Sequence, residues 1–132
     1  MFLNRLGAQE QETFLSAAAR LMAVDGVHEA EQAAMRTLLV SAGMPPTWEP
    51  DQETPLPELL GQIVSAEARR ATLLELLGMA HADTVYGPEE RDFIQGAAAI
   101  MGISEVEVAL MESWVARQLA LAAEAERLLR GH

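Results

Sequence analysis

The sequence predicts an all-α fold: two pseudo-symmetric helical hairpins, a connector helix between them and a long C-terminal helix. Three observations predict it. One pattern occurs twice: Leu21-Met-Ala-Val-Asp25-Gly26-Val27-His28-Glu29-Ala-Glu31-Gln-Ala-Ala-Met35 lies on Met79-Ala-His-Ala-Asp83-Thr84-Val85-Tyr86-Gly87-Pro88-Glu89-Glu90-Arg-Asp-Phe93 at an offset of 58 residues, without a gap. Such repetition fixes architecture before any single residue does. Apolar residues elsewhere recur at helical spacing, and no stretch shows the two-residue alternation of a strand. Half of the residues are apolar but only 5% are aromatic. The core must therefore be built from Ala, Leu, Val and Met, which favour helices packed closely together.

The elements follow in order. The first helix runs from about Ala8 to Val24, with Phe14, Leu15, Ala18, Leu21 and Met22 as its inward stripe. Glu10 and Glu12 near its start suit the positive end of the helix dipole. Asp25-Gly26 ends it. The second helix covers about Glu29 to Ala42, buries Met35, Leu38 and Leu39, and stops at Gly43. A proline-rich connector spans about 44–57. Thr54-Pro55 caps a short third helix from Leu56 to about Ser65. Ser65 caps the fourth, about Ala66 to Ala82, with Leu73, Leu74, Leu77 and Ala80 buried. Pro88 opens the fifth at its first position, Phe93, Ile94, Ala97, Ile100 and Met101 repeat the stripe, and Gly102 stops it. Ser104-Glu-Val-Glu107 is a capping box for a last helix reaching about Arg130, with Val106, Leu110, Trp114 and Leu121 inward. The whole of 1–132 is one domain, with repeats at about 8–43 and 66–102 and the last helix at about 104–130.

Charge and composition exclude several function classes. Twenty acidic residues stand against nine basic ones, all Arg, for a net charge of −11. Nucleic acid requires a basic footprint, and anionic lipid repels such a surface. The longest uncharged stretches are about 12 residues, too short to cross a bilayer, so no membrane insertion is expected. The N-terminus turns polar too early for a signal peptide, and no cysteine is present. Both fit a cytoplasmic protein without thiol chemistry.

The residues that could carry chemistry sit at the two elbows. Asp25 and Asp83 each end a helix, where the carbonyl ends make an acid unfavourable by a few tenths of a kcal/mol. Local capping of the turn offsets that cost, and a bound cation offsets it further. Glu31 and Glu89 follow six residues later, with Glu90 adjacent, in the first turn of the next helix. That spacing can return a carboxylate across the turn, and Ca²⁺ or Mg²⁺ prefers such oxygen ligands. Equally, each Asp can close an Asx-type turn and each Glu can complement a helix dipole. Glu29, Glu90 and Asp92 are further candidate ligands on the same turns, with solvation at the surface as the other reading. His28 and His81 do not occupy equivalent places in the repeat, and neither has partners at zinc-ligand spacing. Tyr86 is expected to tuck its ring against the fifth helix. No nucleophile–base arrangement appears, so the chain reads as non-enzymatic.

The elbow pattern Ala-Asp-x-x-x-x-x-Glu-Glu resembles the TerB-like, tellurite-resistance-associated family. So do Met1-Phe-Leu-Asn with Gln11-Glu-Thr-Phe-Leu, the run Leu73-Leu-Glu-Leu-Leu-Gly78-Met-Ala-His-Ala-Asp83, and Met111-Glu-Ser-Trp114-Val. The resemblance covers the chain apart from the connector. It implies an all-helical fold of two hairpins, a link to tellurite resistance and stress response, and divalent-metal binding at Asp25 with Glu31 and at Asp83 with Glu89 or Glu90. Two departures stand out: Thr84 replaces the usual Gly of the second elbow, and Gln32 replaces the later acid of the first. The other reading is a helical protein–protein interaction module. Its acidic turns are structural, and its apolar residues near Trp48, Pro50 and the last helix meet a partner helix or a second copy.

Overall fold

The computed structural model describes residues 2–24, 29–82 and 86–131, apart from the side chains of Glu29, Ala30, Glu31, Ala34 and Ala82. Among the described residues every regular element is helical, and there is no strand. A 3-10 turn at Leu3–Arg5 leads into six helices: α1 Ala8–Met22, α2 Glu29–Ser41, α3 Leu56–Leu60, α4 Ala66–Ala82, α5 Pro88–Ile100 and α6 Glu105–Leu129. Shifting α1 by the 58-residue offset starts it at Ala66, the first residue of α4, and α2 shifted likewise falls on α5.

α1 starts at Gly7, whose N–H donates to Glu10 Oε1 at 3.0 Å and so satisfies one of the orphan donors of the first turn. Its inward face buries Phe14, Leu15, Ala17, Ala18 and Leu21. α4 begins at Ser65, whose hydroxyl accepts from Ala68 N at 3.0 Å. It buries Ala68, Ala71, Thr72, Leu73, Leu76, Leu77 and Ala80, so both sides of the helix are covered. α1, α5, α6 and the N-terminal turn all pack on it. It is the central helix of the bundle. Thr72 is admitted there because its hydroxyl donates back to Ala68 O at 2.8 Å. Each fully buried Leu or Ile in this core is worth about 1.5–3 kcal/mol of transfer free energy.

Gly43 and Gly102 end α2 and α5 with φ of +73° each, the left-handed stop that only glycine adopts cheaply. Met44 N reaches back to Leu39 O, and Ile103 N to Ala98 O, closing both helix ends. Ser104 caps α6 by accepting from Glu107 N at 3.2 Å. Glu107 does not complete a reciprocal box. Its carboxylate takes Arg70 Nη2 at 2.9 and 3.2 Å instead, tying α4 to α6.

Three expectations are corrected. The third helix ends at Leu60, not near Ser65: Ile63 turns into the core at 0% exposure, and Ser65 is needed as the cap of α4. Thr54 does not cap it, because Thr54 Oγ1 donates to Asp51 Oδ2. On α6 the core-facing line is Val108 and Val115; Val106, Leu110 and Leu121 are 72%, 66% and 57% exposed. Val108 and Val115 are the residues that α6 buries where it packs on α4 and α5, and Val106 and Leu110 lie away from that face.

Candidate functional site

The acidic elbows were the expected site. Asp25, Asp83 and the side chain of Glu31 lie outside the described residues. At the second elbow, Gly87 N donates to Glu90 Oε2 at 3.0 Å, and Glu90 is buried to 7% exposure. Pro88 needs no N–H at the helix start, and Glu90 supplies the acceptor for the residue before it. Glu89 stays exposed. A β-carbon on Gly87 would lie 2.9 Å from Glu90 Oε2 and 3.3 Å from Glu89 Oε2, so the two carboxylates converge over that glycine. Among the described residues, no three His, Asp or Glu side chains are grouped to hold a metal ion.

Tyr86 does not lean on α5 alone. Its ring stacks on His81 of α4, with centroids 4.1 Å apart and planes 23° from parallel. Its hydroxyl donates to Glu112 Oε1 on α6 at 3.1 Å, and the Arg91 guanidinium sits 5.7 Å from the ring centroid. Burial pushes the phenol up to about 12, and the charge and hydrogen bond of Glu112 push the same way against Arg91. Tyr86 is thus a neutral strut joining three helices, with a firmly held proton. His81 Nε2 is buried with no hydrogen-bond partner among the described residues.

The connector forms a second polar site that the sequence reading missed. Arg20 donates from Nε and Nη2 to Asp51 O at 3.1 and 2.9 Å, and Asp51 N donates to Ser16 Oγ at 2.9 Å. The Asp51 carboxylate accepts from Thr54 Oγ1, Thr54 N and Glu53 N. Those bonds, with Arg20 nearby, hold its pKa down at about 2. The result is a clamp fixing the connector to α1, beside an open groove of about 210 Å³ whose walls include Glu12, Thr13, Trp48 and Gln62. The signal was there in Asp51 followed by Thr54-Pro55, and in Thr13 and Ser16 interrupting an otherwise apolar face.

Among the described residues, most of the exposed large apolar side chains lie on α6. Residues 119–131 are all exposed, and Leu119, Leu121, Leu128 and Leu129 have exposures of 37%, 57%, 70% and 82%. Two lines of residues seven apart run along the helix: Trp114, Leu121 and Leu128, and beside it Val108, Val115, Ala122 and Leu129. The face that packs on the bundle therefore continues beyond it, uncovered by any described residue. Where it leaves the bundle lies a small, mainly apolar cavity of about 60 Å³, whose walls include Phe2, Leu74, Glu75, Trp114, Gln118 and Leu119. No described helix is long and apolar enough to cross a membrane.

Comparison with protein-family models, curated proteins and solved structures gives no match to this chain.

Proposed function

We propose that the protein is a non-enzymatic helical interaction module whose docking surface is the apolar face of α6 from Trp114 to Leu129. The exposed leucine line carries this reading. Scattered surface leucines need no explanation, but large apolar residues repeating every seven positions on one helix make a seam for another helix. On this reading the described elbow acid Glu90 is structural, since its carboxylate is used by Gly87 N. A photo-crosslinking residue at position 121 in cells gives a discrete adduct, whereas one at Ala99, exposed on α5, gives none. Absence of an adduct at 121 sinks the proposal.

A second reading is favoured by the convergence of Glu89 and Glu90 over Gly87. It is the one the resemblance implies: a cytoplasmic TerB-like module of tellurite resistance and stress response, binding Ca²⁺ or Mg²⁺ at the elbows through Asp83 with Glu89 or Glu90, and through Asp25 with Glu31. Calorimetric titration with each cation decides it. Saturable heat that Asp83→Asn abolishes supports cation binding, and weak unsaturable heat in both proteins removes it.

A further inference from the structure

We propose that the partner of the α6 face is a second copy of this chain, the two α6 tails packing antiparallel about a twofold axis. The inference rests on the reading of α6 as a docking surface and names its occupant. The first argument is that plug and hole lie on one helix. The exposed Leu121 sits just beyond the cavity at Trp114, Gln118 and Leu119, and the exposed Leu128 two turns further along. The seam Met111, Trp114, Gln118, Leu121, Ala125, Leu128 keeps the alternating spacing of three and four residues that two helices need to interlock. With the axis near Leu119 and Ala120, Ala125 of one copy faces Trp114 of the other, small against large. Leu121 then faces Gln118 at the mouth of the cavity, and Leu128 faces Met111. A twofold axis makes every such contact twice, so one modest patch serves both sides.

Charge supplies the second argument. Between Met111 and Leu128, Arg117 and Arg127 stand against Glu112, Glu124 and Glu126, close to balance, while the rest of the chain has seven Arg against seventeen acids. Two copies of a protein with net charge −11 repel each other over most of their surfaces, and least along this tail. Area agrees. Covering the leucines and intervening alanines of both tails removes on the order of 1,000 Å², the size at which a specific interface begins. The tail projects past the bundle, so the two bundles can sit at opposite ends of the helix pair.

Sedimentation equilibrium of the full chain tests this. The mass should rise with concentration from 14.3 kDa to twice that value. Leu121→Glu combined with Leu128→Glu should raise the dissociation constant at least about tenfold while leaving the helix content unchanged, because both side chains are already exposed in one copy. The chain has no cysteine, so single cysteines report the register. Under mild oxidation Leu121→Cys, near the axis, should link two copies. Leu128→Cys should not, because the two sites are roughly 25 Å apart along the pair at 1.5 Å per residue. Equal linking at 128 overturns the antiparallel arrangement. A wild-type protein that stays monomeric overturns self-pairing. If the crosslinker at 121 then captures a different protein, the docking surface stands without the second copy; if it captures nothing, both fall.

Discussion

The Tyr86 hydroxyl donates to Glu112 Oε1 at 3.1 Å, joining the residue that leads into α5 to the N-terminal third of α6. The same ring lies on His81 at the end of α4, so one side chain links the three helices around the second elbow. Tyr86→Phe keeps the stacking and removes only the hydrogen bond, leaving the Glu112 carboxylate to water. The expected loss is about 1 kcal/mol in urea unfolding. The wild-type phenol carries a pH signature as well. Its pKa lies at about 12 in the folded chain against an ordinary 10.0, so between those values the folded state holds more protons than the unfolded one. Stability from this group is complete below pH 10 and falls as pH rises towards 12. A chemical-denaturation series at alkaline pH, compared with Tyr86→Phe, should show the two proteins converging there. An absorbance titration that places this tyrosine at its ordinary value removes the prediction.

Asp51 gives the opposite pH dependence. Its carboxyl is held at about 2, below the ordinary 3.8, chiefly by the Thr54 hydroxyl and then by the N–H groups of Thr54 and Glu53. The folded state therefore binds fewer protons than the unfolded state between these values, and stability from Asp51 is present above pH 3.8 and lost as pH falls towards 2. Asp51→Ala should lower the unfolding midpoint at neutral pH and converge with wild type near pH 2. Constant separation of the two curves across that range would show that the carboxylate is not the source.

Leu77 and Leu121 separate core from surface. Leu77 is 0% exposed at the centre of the bundle, and Leu77→Ala leaves a cavity costing about 2–5 kcal/mol. Leu121 is 57% exposed in one copy, so Leu121→Ala should change the stability of the monomer by no more than about 0.5 kcal/mol. Thermal melts of both variants at low concentration check this. A large loss for Leu121→Ala in a monomer would place the residue in the core.

Most of the architecture was legible because it follows from local rules. The 58-residue repeat placed α4 and α5 on α1 and α2, and Gly43, Gly102, Ser65, Pro88 and Ser104 marked helix ends through their own chemistry. Burial on α6 was misread for a physical reason. The helix has apolar residues on several sides, and only the approach of α4 decides that Val108 and Val115 are inside while Val106 and Leu110 are not. Tyr86 to Glu112 was equally invisible, since the contact joins residues 26 apart through the packing of separate helices. Of the elbow acids, Glu90 shows what the spacing does in the fold: it is the third residue of α5, where its carboxylate accepts from Gly87 N.

The two glycines that flank α5 should respond differently to alanine. At Gly102 there is open space around a β-carbon, but φ is +73°, so Gly102→Ala pays about 1–2 kcal/mol in backbone strain alone. At Gly87 the backbone is ordinary, with φ of −86°, and the obstacle is the carboxylate pair. A β-carbon 2.9 Å from Glu90 Oε2 must displace it from the Gly87 N–H, costing about 0.5–1.5 kcal/mol. The two mechanisms part in a double-mutant cycle. Glu90→Ala should be costly in wild type and nearly neutral in the Gly87→Ala background, because the bond is already gone. In the Gly102→Ala background its cost should stay unchanged. If Glu90→Ala costs the same in all three backgrounds, Glu90 is not the group that Gly87 makes room for.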